Sequence, residues 1–289
     1  MGLLPLLHVV LVAAAARAPP AQAWGKEGHY MTCKIADGFL TKEASAGVKA
    51  LLPSSAKGEL AEVCSWADSQ RFRYRWSSPL HFADTPGDCK FSYARDCHDT
   101  KGNKGACVVG AINNYTAALQ DPSSPYDRTE SLMFLAHFVG DVHQPLHCGH
   151  VEDLGGNTIL VRWYRRKSNL HHVWDVDVIE QAMKDFFNKD QDAMIDSIQR
   201  NITEDWSSEE KQWEACRGKT KTTCAEKYAQ ESAVLACDAY KGVKQDSTLG
   251  DEYYFAALPV VEKRIAQGGV RLAAILNRIF SGNGKLQSI

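Results

Sequence analysis

Residues 137–150 read HFVGDVHQPLHCGH. Four histidines and an aspartate fall within fourteen residues of an otherwise apolar run, in a chain with only ten histidines. The stretch continues a helical pattern. Asp127-Arg-Thr-Glu130 reads as a helix start, with Asp127 as the cap and Glu130 reaching back. Leu132, Leu135, Ala136, Phe138 and Val139 then recur at helical spacing, and the helix should end before Pro145. On such a helix His137 and Asp141, four apart, share one face. The plain reading is a helix end whose polar side chains find hydrogen bonds. The alternative is a metal centre.

Neighbouring segments weigh towards metal. His171 and Asp175 repeat the four-residue spacing, and imidazole with carboxylate suits zinc. Two such pairs prove little alone, since chance gives roughly 0.7 in a chain of this composition. Asp68 in Cys-Ser-Trp-Ala-Asp, His81 in Pro-Leu-His-Phe and His147 in Pro-Leu-His-Cys add three groups set among apolar residues. A buried histidine must find a hydrogen bond or bind a metal. His143 and His172 rank below these, because His172 points about 100° away from the face shared by His171 and Asp175.

The start of the chain supplies context. Leu3 to Ala16 is apolar, and Ala21-Gln22-Ala23 fits a small-x-small cleavage site, so residues 1–23 read as a secretory signal. The run is shorter than the roughly 20 residues that span a bilayer. Cleavage after Ala23 would free the amine of Trp24, five residues before His29, and an α-amino group titrating near about 7.7–8.0 can bind zinc. Export makes disulfides the expected fate of Cys33, Cys64, Cys89, Cys97, Cys107, Cys216, Cys224 and Cys237. Cys97–Cys107 and Cys216–Cys224 suit short loops, and Cys148, among the histidines, is the candidate free thiol. Asn114-Tyr-Thr and Asn201-Ile-Thr are glycosylation sequons.

Further helical patterns cover Gly28 to Leu40, Val173 to Phe187, Ala193 to Ile202, Ser208 to Cys216, Cys224 to Tyr240 and Asp251 to Phe280. Thr158 to Tyr164 alternates like a short strand. No repeat or long linker divides residues 24–280, which read as one domain, and 281–289 form a polar tail. The net charge of −2 offers no general attraction to nucleic acid or membrane. Arg71-Phe-Arg-Tyr-Arg-Trp76 interleaves cations with aromatics close to Asp68. It reads as a strand-tracking surface or a half-exposed segment, with Arg71 placed to touch phosphate. Arg162, Arg165, Arg166 and Lys167 read as a solvated basic face.

Taken in order, Trp24-Gly-x-x-Gly-His29, Trp66-Ala-Asp68, Pro79-Leu-His81-Phe82-x-Asp84, His137-Phe-x-Gly-Asp141-x-x-Gln-Pro-Leu-His147, Gly155-Gly-Asn157 and Asn169-Leu-His171-x-x-Trp-Asp175 resemble the zinc-dependent single-strand nucleases. More closely, the chain resembles the plant type I bifunctional nucleases of mung-bean type. The resemblance covers most of the chain after residue 23. It implies an all-α fold, shared with bacterial zinc phospholipase C, and three zinc ions. Asp68, His81, His137 and Asp141 would hold one, and His147, His171 and Asp175 the second. The Trp24 amine and carbonyl, with His29 and a bridging Asp141, would hold the third. It also implies Asp68 as the group that orients or deprotonates the nucleophile, and Phe82, Asp84 and Asn157 as the cradle of a base. The expected substrates are single-stranded DNA and RNA and nucleotides, cut to 5′-phosphates by a secreted monomer. A zinc phospholipase C and a zinc-binding glycoprotein without activity are the alternatives.

Overall fold

A computed structural model describes residues 24–216 and 222–281. The signal at 1–23 and the tail beyond Ser281 lie outside the described residues. The fold is mainly helical. The helices in chain order are α1 (Lys26–Phe39), α2 (Lys42–Leu51), α3 (Trp66–Ser69), α4 (Tyr93–Asp96), α5 (Val108–Gln120), α6 (Arg128–Asp141), α7 (Leu170–His172), α8 (Val178–Phe186), α9 (Gln191–Thr203), α10 (Ser207–Glu214), α11 (Ala225–Ala239) and α12 (Asp251–Ser281).

Helices α1 and α12 form the spine. Met31 and Ile35 of α1 face one apolar cluster with Val261, Ile265 and Val270 of α12. Cys33 and Ala36 face a second cluster with Leu272 and Ile275. The helices meet closely because Gly269 has no side chain: a Cβ there would lie 2.5 Å from Ile35 Cγ2 and 3.0 Å from the Thr32 carbonyl. Helix α6 is buried from Ser131 through Asp141. A helix without a wet face must satisfy every polar side chain inside the protein, and that constraint falls on His137 and Asp141.

Asp127 caps α6 as its sequence suggests, accepting the Glu130 N–H at 2.8 Å. The Glu130 carboxylate does not reach back to it; it takes the Tyr74 hydroxyl instead. Sequence patterning does not mark helices α2 and α5. Thr41 caps α2 through the Ala44 N–H at 3.2 Å, and α5 is too apolar to show a clean amphipathic stripe.

A small sheet of order β2-β1-β3 interrupts the helices, built from β1 (Leu160–Trp163), β2 (Arg166–Asn169) and β3 (Thr248–Leu249). Strand β2 pairs antiparallel with β1, from Leu160 opposite Asn169 to Trp163 opposite Arg166. The basic cluster is therefore a hairpin, and Arg166 reaches Asp177 at 3.0 Å. At its end the Asn169 side chain accepts the His172 N–H at 2.8 Å and starts α7. Disulfides join Cys33–Cys64, Cys89–Cys237, Cys97–Cys107 and Cys216–Cys224, and Cys148 is a buried free thiol. No helix among the described residues is long and apolar enough to cross a membrane.

Candidate metal centre

Seven segments converge on one buried cluster. Helix α1 brings His29, α3 brings Asp68, and the 3-10 turn Arg75–His81 brings His81. Helix α6 brings His137 and Asp141, and the 3-10 turn Pro145–Cys148 brings His147. Helix α7 brings His171, and the π-helical turn Val173–Asp177 that follows it brings Asp175. In each of three sets the ligand atoms lie within 4.8 Å of one another: His29, His137 and Asp141; Asp68, His81 and His137; His147, His171 and Asp175.

Asp141 sits at the junction. One carboxylate oxygen lies 2.9 Å from His81 Nδ1 and 3.3 Å from His137 Nε2. The other lies 3.2 Å from His29 Nε2. Asp68 Oδ1 stands 3.6 Å from His137 Nε2 and 3.8 Å from His81 Nδ1. It also lies 3.2 Å from Arg71 Nε, so the guanidinium faces the cluster.

Three imidazoles are oriented by main-chain carbonyls. His137 Nδ1 contacts the Cys64 carbonyl at 2.8 Å, His147 Nδ1 the His81 carbonyl at 2.7 Å, and His171 Nδ1 the Gly155 carbonyl at 2.6 Å. A carbonyl only accepts, so each Nδ1 carries the proton and each Nε2 presents a lone pair. His147 and His171 turn those nitrogens to within 3.2 Å of each other. Gln144 donates to Asp175 Oδ1 at 2.6 Å and fixes that carboxylate.

Burial sets the electrostatics. It pushes His29, His81, His137 and His147 below the usual imidazole range, with neighbouring histidines adding to the effect on His29 and His81. Burial likewise pushes Asp141 and Asp175 well above the usual carboxylate range, and Asp68 raises both further. Neutral imidazoles beside carboxylates that resist ionisation are short of positive charge, even with Arg71 at the Asp68 edge. Asp141 Oδ1 and both ring nitrogens of His29 are buried and make no hydrogen bond. Nitrogen and oxygen donors left this way fit zinc.

Trp24 is fully buried, and the following Gly25 N–H donates to the Asp175 carbonyl at 2.8 Å, which ties the start of α1 to the Asp175 turn. Phe82 and Asp84 lie in an extended segment beside residues 147–151, where Ala83 N–H donates to His147 O and Thr85 N–H to Gly149 O. Alternation puts Ala83 and Thr85 inward and leaves Phe82 and Asp84 together on the half-open side. Burial, then the nearby Asp153, pushes the Asp84 carboxyl well up. Asn157 is nearly buried, its amide donating to the Leu154 carbonyl at 2.8 Å. Asn114 is exposed on α5 and Asn201 half-exposed on α9.

His143 is used elsewhere. Its Nδ1–H donates to Val139 O at 2.7 Å, and its Nε2 accepts from buried Arg271 at 2.9 Å. Arg264 and Arg271 both also bind Glu231. His172 is exposed. Gln144 and the three orienting carbonyls carry no motif of their own in the sequence. The one signal was Gln144's place inside the Gln-Pro-Leu-His run.

The model of the family described as S1/P1 nuclease matches residues 24–281. A protein of Arabidopsis thaliana named endonuclease 4 is 54% identical over 275 residues, which cover 92% of each chain. Endonuclease 2 of the same plant is 50% identical over 286 residues, 96% of this chain and 98% of that one. Nuclease S1 of Aspergillus oryzae is 31% identical over 290 residues, 96% of this chain and 99% of its own.

Proposed function

Since the chain belongs to the S1/P1 nuclease family, whose members cleave phosphodiesters, we propose that it is an exported zinc endonuclease preferring single-stranded DNA and RNA. It releases 5′-phosphate products, also removes phosphate from 3′-nucleotides, and works as a monomer. The observation that carries this reading is the convergence of three ligand sets in one buried cluster, two of them sharing His137 and meeting at Asp141.

Asp68, His81, His137 and Asp141 would hold one ion, and His147, His171 and Asp175 a second. A third would rest on His29, Asp141 and the amine and carbonyl of Trp24. That amine exists only after cleavage at Ala23, and the family match beginning at Trp24 supports this. Zinc, when bound, supplies Lewis-acid charge and brings the ionisation of water near neutrality. Three dications against three aspartates leave local positive charge in a nearly neutral protein, enough to draw a polyanion to one spot.

The side chains divide the remaining work. Asp68 is the ligand at the cluster's less buried edge, 12% exposed where Asp141 is fully buried. From there it accepts or orients the proton of the attacking water. Arg71, paired with Asp68, neutralises a phosphate oxygen. Phe82 stacks a base and Asp84 and Asn157 bond its edge. A stacked, edge-read base must be splayed from its partner, which favours single strands. The four disulfides support an oxidising destination, and the accessible Asn114 and Asn201 support glycosylation there.

The test is cleavage of single- and double-stranded DNA and RNA by the zinc-loaded, exported chain. Elemental analysis and chelation accompany it. Asp68→Asn should lower kcat by about 100-fold or more while the far-ultraviolet spectrum stays unchanged. Full turnover in excess chelator, or equal cutting of duplex, would refute the reading.

A further inference from the structure

The segment leaving α3 carries aromatic surface that neither the core nor the metal-ligand cluster uses. Its backbone is tightly folded: the N–H groups of Arg73 and Tyr74 both donate to Gln70 O at 2.9 Å. Tyr74 anchors it, standing edge-on to Phe134 at 5.9 Å with its hydroxyl on Glu130. Trp76 tilts against the same Phe134 at 5.7 Å but stays 55% exposed. Phe72 is different. It is 90% exposed, the most exposed large apolar side chain among the described residues.

Exposed Arg73 and Arg75 follow Phe72, and Arg71, immediately before it, turns inward to Asp68. A ring left in water forgoes the gain of burial, and the packing of this anchored turn gives no reason for it. A stackable face between cations suits a strand that alternates bases with phosphates. The charge matches too, because the chain as a whole is slightly acidic while three arginines gather within five residues here.

We propose that Phe72, with Arg73 and Arg75, forms an outer subsite for single-stranded nucleic acid. The ring stacks a base beyond the two nucleotides that flank the scissile phosphate, and the guanidiniums hold phosphates further along. The subsite rests on the nuclease reading above and extends it from the reacting nucleotide to the strand. It makes substrate length, rather than base identity, the property that this surface selects.

The experiment compares kcat/KM on a dinucleoside monophosphate with kcat/KM on a single-stranded octanucleotide, using zinc-loaded enzyme. Phe72→Ala should lower the ratio of octamer to dinucleotide rate roughly tenfold, about the worth of one base stacked on a ring. Phe72→Trp should preserve the ratio, while Phe72→Leu, apolar without a π-face, should lower it as alanine does. Arg73→Ala with Arg75→Ala should flatten the salt dependence of the octamer rate, by roughly 0.7 in log–log slope for each phosphate no longer neutralised. An unchanged ratio in Phe72→Ala, or equal rescue by leucine and tryptophan, overturns the subsite while leaving the nuclease reading intact. Wild-type enzyme inert on both substrates overturns the parent reading and the subsite together.

Discussion

Gly140 lies in α6 between the two ligands that helix supplies, and Gly140→Ala sets two effects against each other. Alanine in a helix interior ordinarily gains about 1 kcal/mol over glycine. Here the new Cβ would sit 2.7 Å from His29 Nδ1 and 3.0 Å from its Cε1. Ordinary contact begins near 3.4 Å, so the ring must move by 0.7 Å. It has little room, because it also stacks on His137 at 3.9 Å and both rings are fully buried. Overpacking of this kind costs about 1–3 kcal/mol, which outweighs the propensity gain. Each lost kcal/mol lowers the melting temperature of a chain this size by about 2–4 °C. The larger effect falls on metal. A displacement of 0.7 Å exceeds the ~0.2 Å tolerance of a zinc ligand, so affinity at the His29 position should fall by about 10- to 100-fold. Competition with a chromogenic chelator measures that affinity, and melting of the chelated protein measures stability. A variant that melts higher than wild type and holds every ion as tightly would refute the argument.

Three further outcomes follow from the same structure. Burial raises Asp37 from 3.8 to about 6 despite the Leu60 and Ala61 N–H groups it accepts. The folded protein therefore binds that proton more tightly than the unfolded chain, and stability from this group is lost as pH rises through about 6. Asp37→Asn should gain on wild type between about pH 4 and 7.5, by at most about 3 kcal/mol, and parallel urea-melting profiles across that range would contradict it. Glu231 faces two nearly fully buried guanidiniums, Arg264 at 3.0 Å and Arg271 at 2.6 Å; Glu231→Gln should cost about 3 kcal/mol in urea denaturation, and a change below about 1 kcal/mol would show the pair to be solvated. Chelation should lower the melting temperature as well as activity, since an ion present at about 100 times its Kd contributes about 2.7 kcal/mol, and acid should mimic it by protonating the imidazoles; identical melts with and without chelator would count against zinc as part of the fold.

The parts of this molecule legible in its sequence are those that local chemistry writes. Asp127 before an apolar run gave the start of α6, and four-residue spacing gave the shared face of His137 and Asp141. The four-residue spacing of His171 and Asp175 brings them to 3.3 Å by a different geometry, an α-turn passing into a π-turn. Strand β2 was hidden because Arg166-Lys-Ser-Asn has no apolar alternation; pairing with β1 alone makes it a strand. Disulfides closing 10 and 8 residues suited their loops, whereas Cys33–Cys64 and Cys89–Cys237, 31 and 148 residues apart, are set by tertiary packing. Resemblance to a family, rather than spacing, pointed to Phe82, Asp84 and Asn157 together.

The carbonyls behind His137, His147 and His171 bear on how such a centre can be redesigned. Where a carboxylate holds an imidazole, one substitution retunes the ligand. Here the orienting partner is the peptide backbone, which no side-chain replacement removes, so adjustment must come from the path of the chain at residues 64, 81 and 155. A neutral partner also lends an imidazole less electron density than an anionic one would. Ions held there would then keep more of their own charge for an anionic guest, and that reserve would be inherited with the loop conformations.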